Sequence, residues 1–92
     1  MAIPEVDVFN QGLPFDGPID VKHLENIPNA DVAQRTLAFM SDRGNEFDLY
    51  QRHTPADVAR MWRATFRACL THGVPVTRRQ QGFAQRLGII FP

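Results

Sequence analysis

The chain is 92 residues long and 43% hydrophobic, which limits it to a single domain with a small core. Ten Lys and Arg residues balance ten Asp and Glu residues, so the formal net charge at pH 7 is zero and the protein is neither strongly basic nor strongly acidic as a whole. No apolar run approaches the ~20 residues that cross a bilayer, so we expect no membrane partner.

The cysteine content and the acidic start of the chain bear on its compartment. A single cysteine, Cys69, excludes an internal disulfide, and a small fold without disulfides is typical of a reducing environment. The first 25 residues contain five acidic residues instead of a basic start and an apolar run, so we expect neither a secretory signal nor a transit peptide. Both observations predict a cytoplasmic protein.

Residues 1–29 are predicted to form an extended arm. Four of the seven prolines and two glycines fall in this stretch and leave no room for a helix longer than about two turns. The stretch is also rich in branched and aromatic residues, which disordered segments lack, so we expect it to lie on its own domain or on another molecule. The residues expected to make these arm contacts are apolar or acidic: Val6, Val8, Phe9, Phe15, Asp16 and Asp20.

The first helix is predicted over residues 30–43. When successive residues are placed about 100° apart, the apolar side chains of this stretch share one arc and most polar side chains lie opposite, as in an amphipathic helix. Asn29 is the expected N-cap, because its side chain can accept a hydrogen bond from the first turn. Gly44 is expected to end the helix in the left-handed conformation.

Residues 45–53 carry no clear periodic signal. Phe47, Leu49 and Tyr50 are spaced so that they either form one helical turn or enter the core from a loop. We therefore treat this stretch as a connection between two helices.

The strongest local signal predicts a helix over residues 55–72. Thr54 supplies a hydroxyl N-cap, and Pro55 occupies the first helical position, where its missing N–H is not needed. Gly73 is expected to end the helix, with Val74 packing back on the last turn. The apolar arc is about 200° wide, compared with about 100° for a surface helix, so we interpret this helix as central and covered from two sides.

A third helix is predicted over residues 78–87, because Thr77 and Gln80 fit the capping box. The residues that follow, 89–92, form a short apolar tail. The predicted fold class is therefore all-α. It consists of a compact three-helix domain, residues 30–92, with the extended, proline-rich acidic arm before the first helix and the short apolar tail after the last one.

The charges are segregated along the chain. Residues 1–50 contain nine acidic and three basic residues, whereas residues 51–92 contain one acidic residue and seven arginines without a lysine. On the central helix, Arg60, Arg63 and Arg67 are neighbours by the i, i+3 and i+4 rule and form one exposed stripe away from the apolar arc. Like charges this close repel one another by a few tenths of a kcal/mol per pair, so we expect an anionic group to face them.

Two interpretations of the arginines remain open. In the first, the acidic arm lies along the arginines of its own molecule. In the second, which we favour, they face an external anion or an acidic surface of another protein, because arginine is suited to planar bidentate contacts. The side chains expected to contact the partner or its phosphates are Arg60, Arg63, Arg67, Arg78, Arg79, Gln81, Gln85 and Arg86.

The function predicted from these features is binding. We expect a small adaptor or inhibitor that contacts a protein partner, including one that handles nucleic acid, through the arm and the arginine-rich face. A first alternative is a helix-turn-helix nucleic-acid-binding protein over residues 65–87, although Arg79 occupies a place where that motif needs an aliphatic residue. A second alternative is a structural subunit of a homo-oligomer or larger assembly, with Ile89, Ile90 and Phe91 buried between molecules.

No catalytic, metal-binding or cofactor-binding residue is predicted. Cys69 and His72 lie one turn apart, but one cysteine with scattered histidines lacks the paired ligands typical of a zinc site. The only serine, Ser41, has no glycine elbow around it, and neither a P-loop nor a GxGxxG motif occurs. We therefore expect no enzymatic activity, no metal and no cofactor.

Overall fold

The computed structural model describes residues 21–92 of the chain. Within this range the backbone forms helices joined by short loops and contains no strand, which confirms the predicted all-helical class. None of these helices is long and apolar enough to span a bilayer. The helices of the described range are α1 (Val21–Leu24), α2 (Ala30–Ser41), α3 (Arg43–Arg52), α4 (Pro55–His72) and α5 (Arg78–Arg86).

The central helix, α4, has the bounds predicted from the sequence. Thr54 Oγ1 accepts a hydrogen bond from an N–H of the first turn at 3.2 Å, and Pro55 opens the helix. At the other end, Gly73 adopts the left-handed conformation with a φ of 70°, and the Val74 N–H donates to a carbonyl of the last turn at 2.8 Å. Val74 is buried, as expected of the residue that follows such a glycine.

The apolar arc of α4 forms the centre of the core. Both α1 and α2 pack against it, and aromatic side chains of α5 and of the C-terminal tail also cover it. Trp62 and Phe66 stack with ring centroids 5.3 Å apart, and Phe83 meets Trp62 edge-on at 5.1 Å. The residues of α4 that are buried are Val58, Met61, Trp62, Thr65, Phe66 and Cys69.

The predicted end of the first helix is wrong. α2 stops at Ser41, and Gly44 lies inside α3 instead of ending α2. The cause is Asp42, whose N–H donates to the Phe39 carbonyl at 3.3 Å while its carboxylate accepts from the Asn45 N–H at 3.0 Å. A residue that caps the next helix therefore ends the first one without a left-handed glycine.

The stretch predicted as a connection is also a helix, so the described range holds more than the three predicted helices. Residues 45–53 fall almost entirely within α3, whose core-facing side is narrow. Asn45 and Leu49 are buried, whereas Phe47 and Tyr50 are 65% and 48% exposed. Most apolar side chains of this stretch thus lie on the solvent side, and their spacing carries no signal of a helix that packs on a core.

The predicted extended arm does not reach residue 29. α1 and the residues after it form helical turns, in which the Glu25 N–H donates to the Val21 carbonyl at 3.0 Å. Leu24 is only 1% exposed, and Ile27 is partly buried against the core. The helical domain therefore begins before residue 30. The remainder of the predicted arm, residues 1–20, lies outside the described range.

The last helix follows its sequence signals closely. The Gln80 N–H donates to Thr77 Oγ1 at 3.1 Å, and the Thr77 N–H donates to Gln80 Oε1 at 2.8 Å, which is the predicted capping box. α5 ends at Arg86, one residue before the predicted boundary. Gly88, with a φ of 88°, then turns the chain back towards the core.

The apolar tail packs on its own chain. The Ile89 N–H donates to the Ala84 carbonyl at 2.9 Å, and the Ile89 side chain is buried. Phe91 meets the Phe66 ring edge-on with the centroids 6.1 Å apart, whereas Ile90 is 75% exposed. Ile89 and Phe91 thus find core contacts without a second molecule, which differs from the burial expected for a structural subunit.

Substitution of Gly82 by alanine should stabilise the domain. Gly82 lies inside α5, and a Cβ added there meets no atom within 4 Å. We expect Gly82→Ala to raise the free energy of unfolding by about 0.5–1 kcal/mol, because alanine loses less backbone entropy on folding. Urea denaturation followed by circular dichroism measures the change.

The matched control is Gly73→Ala. A Cβ also has free space at Gly73, but its φ of +70° is unfavourable for alanine, so this variant should lose about 1 kcal/mol. A loss of stability in Gly82→Ala would contradict the helical conformation of α5, and a gain in Gly73→Ala would contradict the left-handed conformation of Gly73 at the end of α4.

Candidate functional site

Three arginines of α4 line a groove. The groove lies between α4 and the segment formed by α1 and the residues after it, and its volume is about 390 Å³. Arg60, Arg63 and Arg67 follow one another along α4, so the structure brings the predicted stripe together at one site. The described residues that line the groove are Val21, Leu24, Glu25, Ile27, Arg60, Arg63, Ala64, Arg67, Ala68, Thr71 and His72.

The groove combines apolar and basic parts. Ala64 and Ala68, one turn apart on α4, are partly buried against the core, and Val21 and Ile27 pack on the same core from the opposite wall. Glu25 is the one carboxylate among the described lining residues, against three guanidinium groups. This arrangement favours a ligand that has both an apolar part and negative charge.

Arg63 differs from the outward-facing side chain expected from the sequence. Its Nε donates a hydrogen bond to the Leu87 carbonyl at 3.2 Å, and the side chain is half-buried. Leu87 is the C-cap of α5, where backbone carbonyls lack helical partners and the helix dipole favours a cation. Arg63 therefore links α4 to the end of α5 through this hydrogen bond. Its two terminal nitrogens have no carboxylate partner within the described residues.

The other two arginines of the stripe are not firmly held by carboxylates. Arg60 Nη1 lies 3.9 Å from the Asp57 carboxylate, and the two side chains are 57% and 41% exposed. Exposed pairs of this kind contribute about 0–1 kcal/mol, so Asp57 neutralises Arg60 only weakly. Arg67 is exposed, and no carboxylate of residues 21–92 forms an ion pair with it.

The predicted contact residues of α5 have different surroundings. Gln81 is half-buried and donates from Nε2 to the Val76 carbonyl at 3.3 Å, so its amide is used inside the chain and is less suited to the predicted contact. The others are exposed, and the three arginines among them form no ion pair with a carboxylate of the described range. These exposed residues are Arg78, Arg79, Gln85 and Arg86.

The arm residues predicted to contact a partner stay a prediction. All of them precede residue 21 and therefore lie outside the described range. They are Val6, Val8, Phe9, Phe15, Asp16 and Asp20.

Several groove residues were missed by the sequence reasoning. Val21, Ile27 and Glu25 belong to the stretch predicted as arm, and His72 was considered only as a zinc ligand. His72 Nε2 lies 3.3 Å from the Ile27 carbonyl oxygen, which joins the segment after α1 to the last turn of α4. The available signal was the three-residue spacing of Val21 and Leu24, which places both on one helical face.

The cysteine and the histidines of the described range do not form a metal cluster. Residues 21–92 contain no group of three or more His, Cys, Asp or Glu side chains that could hold a metal ion. Cys69 is buried, with its Sγ 3.9 Å from the Ala33 carbonyl oxygen. Burial raises the pKa of the Cys69 thiol from 9.0 to about 11, so Cys69 is a neutral core side chain at pH 7.

Cys69 makes stability depend on pH in the alkaline range. Its folded pKa is raised, so the unfolded chain ionises first and stability falls between about pH 9 and pH 11 but not below. We expect the wild-type protein to lose about 1 kcal/mol more than Cys69→Ala between about pH 8 and pH 10, measured by urea denaturation. Equal losses in both proteins would show that the thiol is not desolvated.

Removal of Arg63 should destabilise the domain. Without its guanidinium group, the Leu87 carbonyl loses a charged donor, so we expect Arg63→Ala to lower the free energy of unfolding by about 1 kcal/mol. Arg67→Ala is the matched control, because Arg67 is exposed on the same helix and should change stability by less than about 0.5 kcal/mol. Equal effects of the two substitutions in urea denaturation would contradict the assigned contact.

Searches with this chain against protein-family models, curated proteins and solved structures found no match. The features available are a groove lined by three guanidinium groups and a capped helix with exposed arginines.

Proposed function

We propose that this chain is a non-catalytic binding module, a small adaptor or inhibitor that holds an acidic surface of a protein partner with its arginine-rich face. The observation that carries the proposal is the lack of ion pairs, among the described residues, for the exposed arginines of this face. Such side chains are available for bidentate contacts with carboxylates of another molecule. They are Arg67, Arg78, Arg79 and Arg86.

The charge of the described range supports this proposal. Residues 21–92 contain ten basic and six acidic side chains, so the helical domain is positively charged although the whole chain is neutral. A localised positive surface steers an acidic partner towards the protein and raises the rate of association.

The placement of two arginines at the start of α5 is a second line of support. Arg78 and Arg79 lie in the first turn, which contains no acidic residue. The positive end of the helix dipole disfavours a cation there by about 0.3–1 kcal/mol per charge. A partner that brings carboxylates to this turn would offset the repulsion.

The arm is the second contact surface of the proposal. Residues 1–20 contain four acidic residues and no lysine or arginine, next to several large apolar side chains. This composition suits an extended segment that lies along a partner. The proposed module thus presents a basic face and an acidic, apolar segment to its partner.

Direct binding of nucleic acid is the second candidate, because α5 is capped and exposes three arginines and Gln85. In this candidate, Phe83 would take the role of the aliphatic residue that joins the two helices, since its ring lies 5.1 Å from Trp62 and 5.8 Å from Phe66. This aromatic contact packs α5 on α4 while Arg79 stays exposed. Direct binding of a nucleic-acid duplex to the purified protein tests this candidate.

The test is a pull-down from a lysate of the native host, in which wild type and two double variants of equal net charge serve as baits. Arg78→Gln with Arg79→Gln removes two arginines from the proposed face, whereas Arg35→Gln with Arg43→Gln removes two from α2 and α3. We expect wild type and the α2/α3 variant to retain the same partner, and the α5 variant to retain about tenfold less. The purified partner should then reproduce this order of affinities, with binding weakened by salt.

Two outcomes would contradict the proposed function. Equal loss of the partner in both double variants would show that only net charge matters. Tight binding of a nucleic-acid duplex by wild type, with a steep salt dependence and loss in the α5 variant, would favour the second candidate instead.

A further inference from the structure

We propose that the groove between α1 and α4 selects the partner's sequence by binding an extended acidic segment in which large apolar side chains alternate with carboxylates. This inference rests on the proposed function, since it names the ligand class for one part of the arginine-rich face. It concerns the groove rather than the exposed arginines of α5.

The size of the groove fits part of a peptide. A volume of about 390 Å³ lies at the lower end of the range of ligand sites, roughly 300–1,000 Å³, so it admits side chains of an extended segment but no folded element. The small side chains of Ala64 and Ala68 leave apolar surface on α4, and Val21 and Ile27 supply the facing wall. An apolar side chain buried between these walls would be removed from water, which favours binding.

The spacing of the arginines fits the repeat of an extended peptide. Arg63 and Arg67 are separated by four residues of α4, a rise of about 6 Å. Carboxylates two residues apart in an extended segment are about 6.6 Å apart. Acidic residues on one side of such a segment therefore match Arg63 and Arg67, and the apolar residues, which point to the opposite side, match the wall formed by Val21 and Ile27.

The hydrogen bond of Arg63 prepares the site for this ligand. The contact from Nε to the Leu87 carbonyl at 3.2 Å holds the guanidinium group in place before the ligand arrives. Its terminal N–H groups then donate to a carboxylate with less loss of side-chain entropy than a mobile arginine would suffer. Glu25, the carboxylate among the lining residues, disfavours segments that carry only negative charge and lack apolar contacts.

Phosphate groups are complementary to the arginines of the groove but not to its apolar surfaces. A nucleic-acid backbone or free phosphate would pair with the arginines but would leave the alanine surface and the apolar wall without a ligand. A ligand that uses both parts of the groove carries apolar side chains next to its charges. An acidic, apolar peptide meets this condition.

The test measures fluorescence anisotropy of a labelled peptide of about twelve residues with alternating Asp and Leu, added to the full-length protein. One control peptide has Asn in place of every Asp, and the other has Ser in place of every Leu. We expect saturable binding of the first peptide and at least about tenfold weaker binding of both controls. Equal binding of the Ser peptide, or displacement by duplex DNA at the same concentration as unlabelled peptide, would overturn the proposal.

Variants then locate the peptide in the groove. Arg67→Ala removes a rim arginine, and Ala68→Glu places a carboxylate on the groove surface. Their matched controls are Arg43→Ala and Ala38→Glu, the same substitutions at exposed positions that do not line the groove. We expect about tenfold weaker peptide binding in the groove variants and less than about twofold change in the controls, with unchanged helical circular dichroism.

The outcomes separate this inference from the proposed function. If the α5 double variant loses the protein partner while Arg67→Ala and Ala68→Glu bind both partner and peptide like wild type, the groove proposal fails and the proposed function stands. If the groove variants lose peptide binding but no arginine substitution weakens binding of a protein partner, the proposed function is contradicted. The groove is then still a site for an acidic, apolar peptide.

Discussion

Burial of α4 on two sides is the constraint that organises the rest of the described structure. Its apolar residues occupy more than half of the helix circumference, so α1, α2 and the aromatic residues of α5 and the tail must all pack on it. The remaining sector is narrow and holds the three arginines. Because α1 and the end of α5 border this sector, the arginines line a groove and Arg63 reaches the carbonyl of Leu87.

The same constraint gives the arginines different roles. Arg63 takes part in the packing of α5 on α4, whereas Arg67 and the arginines of α5 are exposed without a carboxylate of the described range beside them. A single property, positive charge on the last two helices, therefore serves both folding and the proposed binding. The acidic residues that balance this charge lie mainly in the first half of the chain, and four of them precede residue 21.

The sequence predicted the elements whose signals are local. The caps at Thr54 and Thr77 and the left-handed Gly73 mark α4 and α5 because hydrogen bonds within a few residues decide these positions. α3 was missed because Leu49 is its main apolar anchor and Phe47 faces solvent, so tertiary contact rather than periodicity stabilises it. The groove could not be predicted, because one of its walls is α1, a single turn between Pro18 and Pro28 in the sequence. No local pattern indicates that this turn packs beside the arginine stripe.

Whether the molecule neutralises its own arginines is measured most directly by the salt dependence of thermal unfolding of the full chain. Between about 0.02 M and about 0.2 M NaCl, screening weakens the repulsion among arginines that lack carboxylate partners, so the Tm should rise or stay constant. A Tm that falls by several degrees over this range would show that attractive ion pairs within the molecule outweigh this repulsion, which contradicts the account. The arginine-rich face would then be part of the fold and not a surface for a partner.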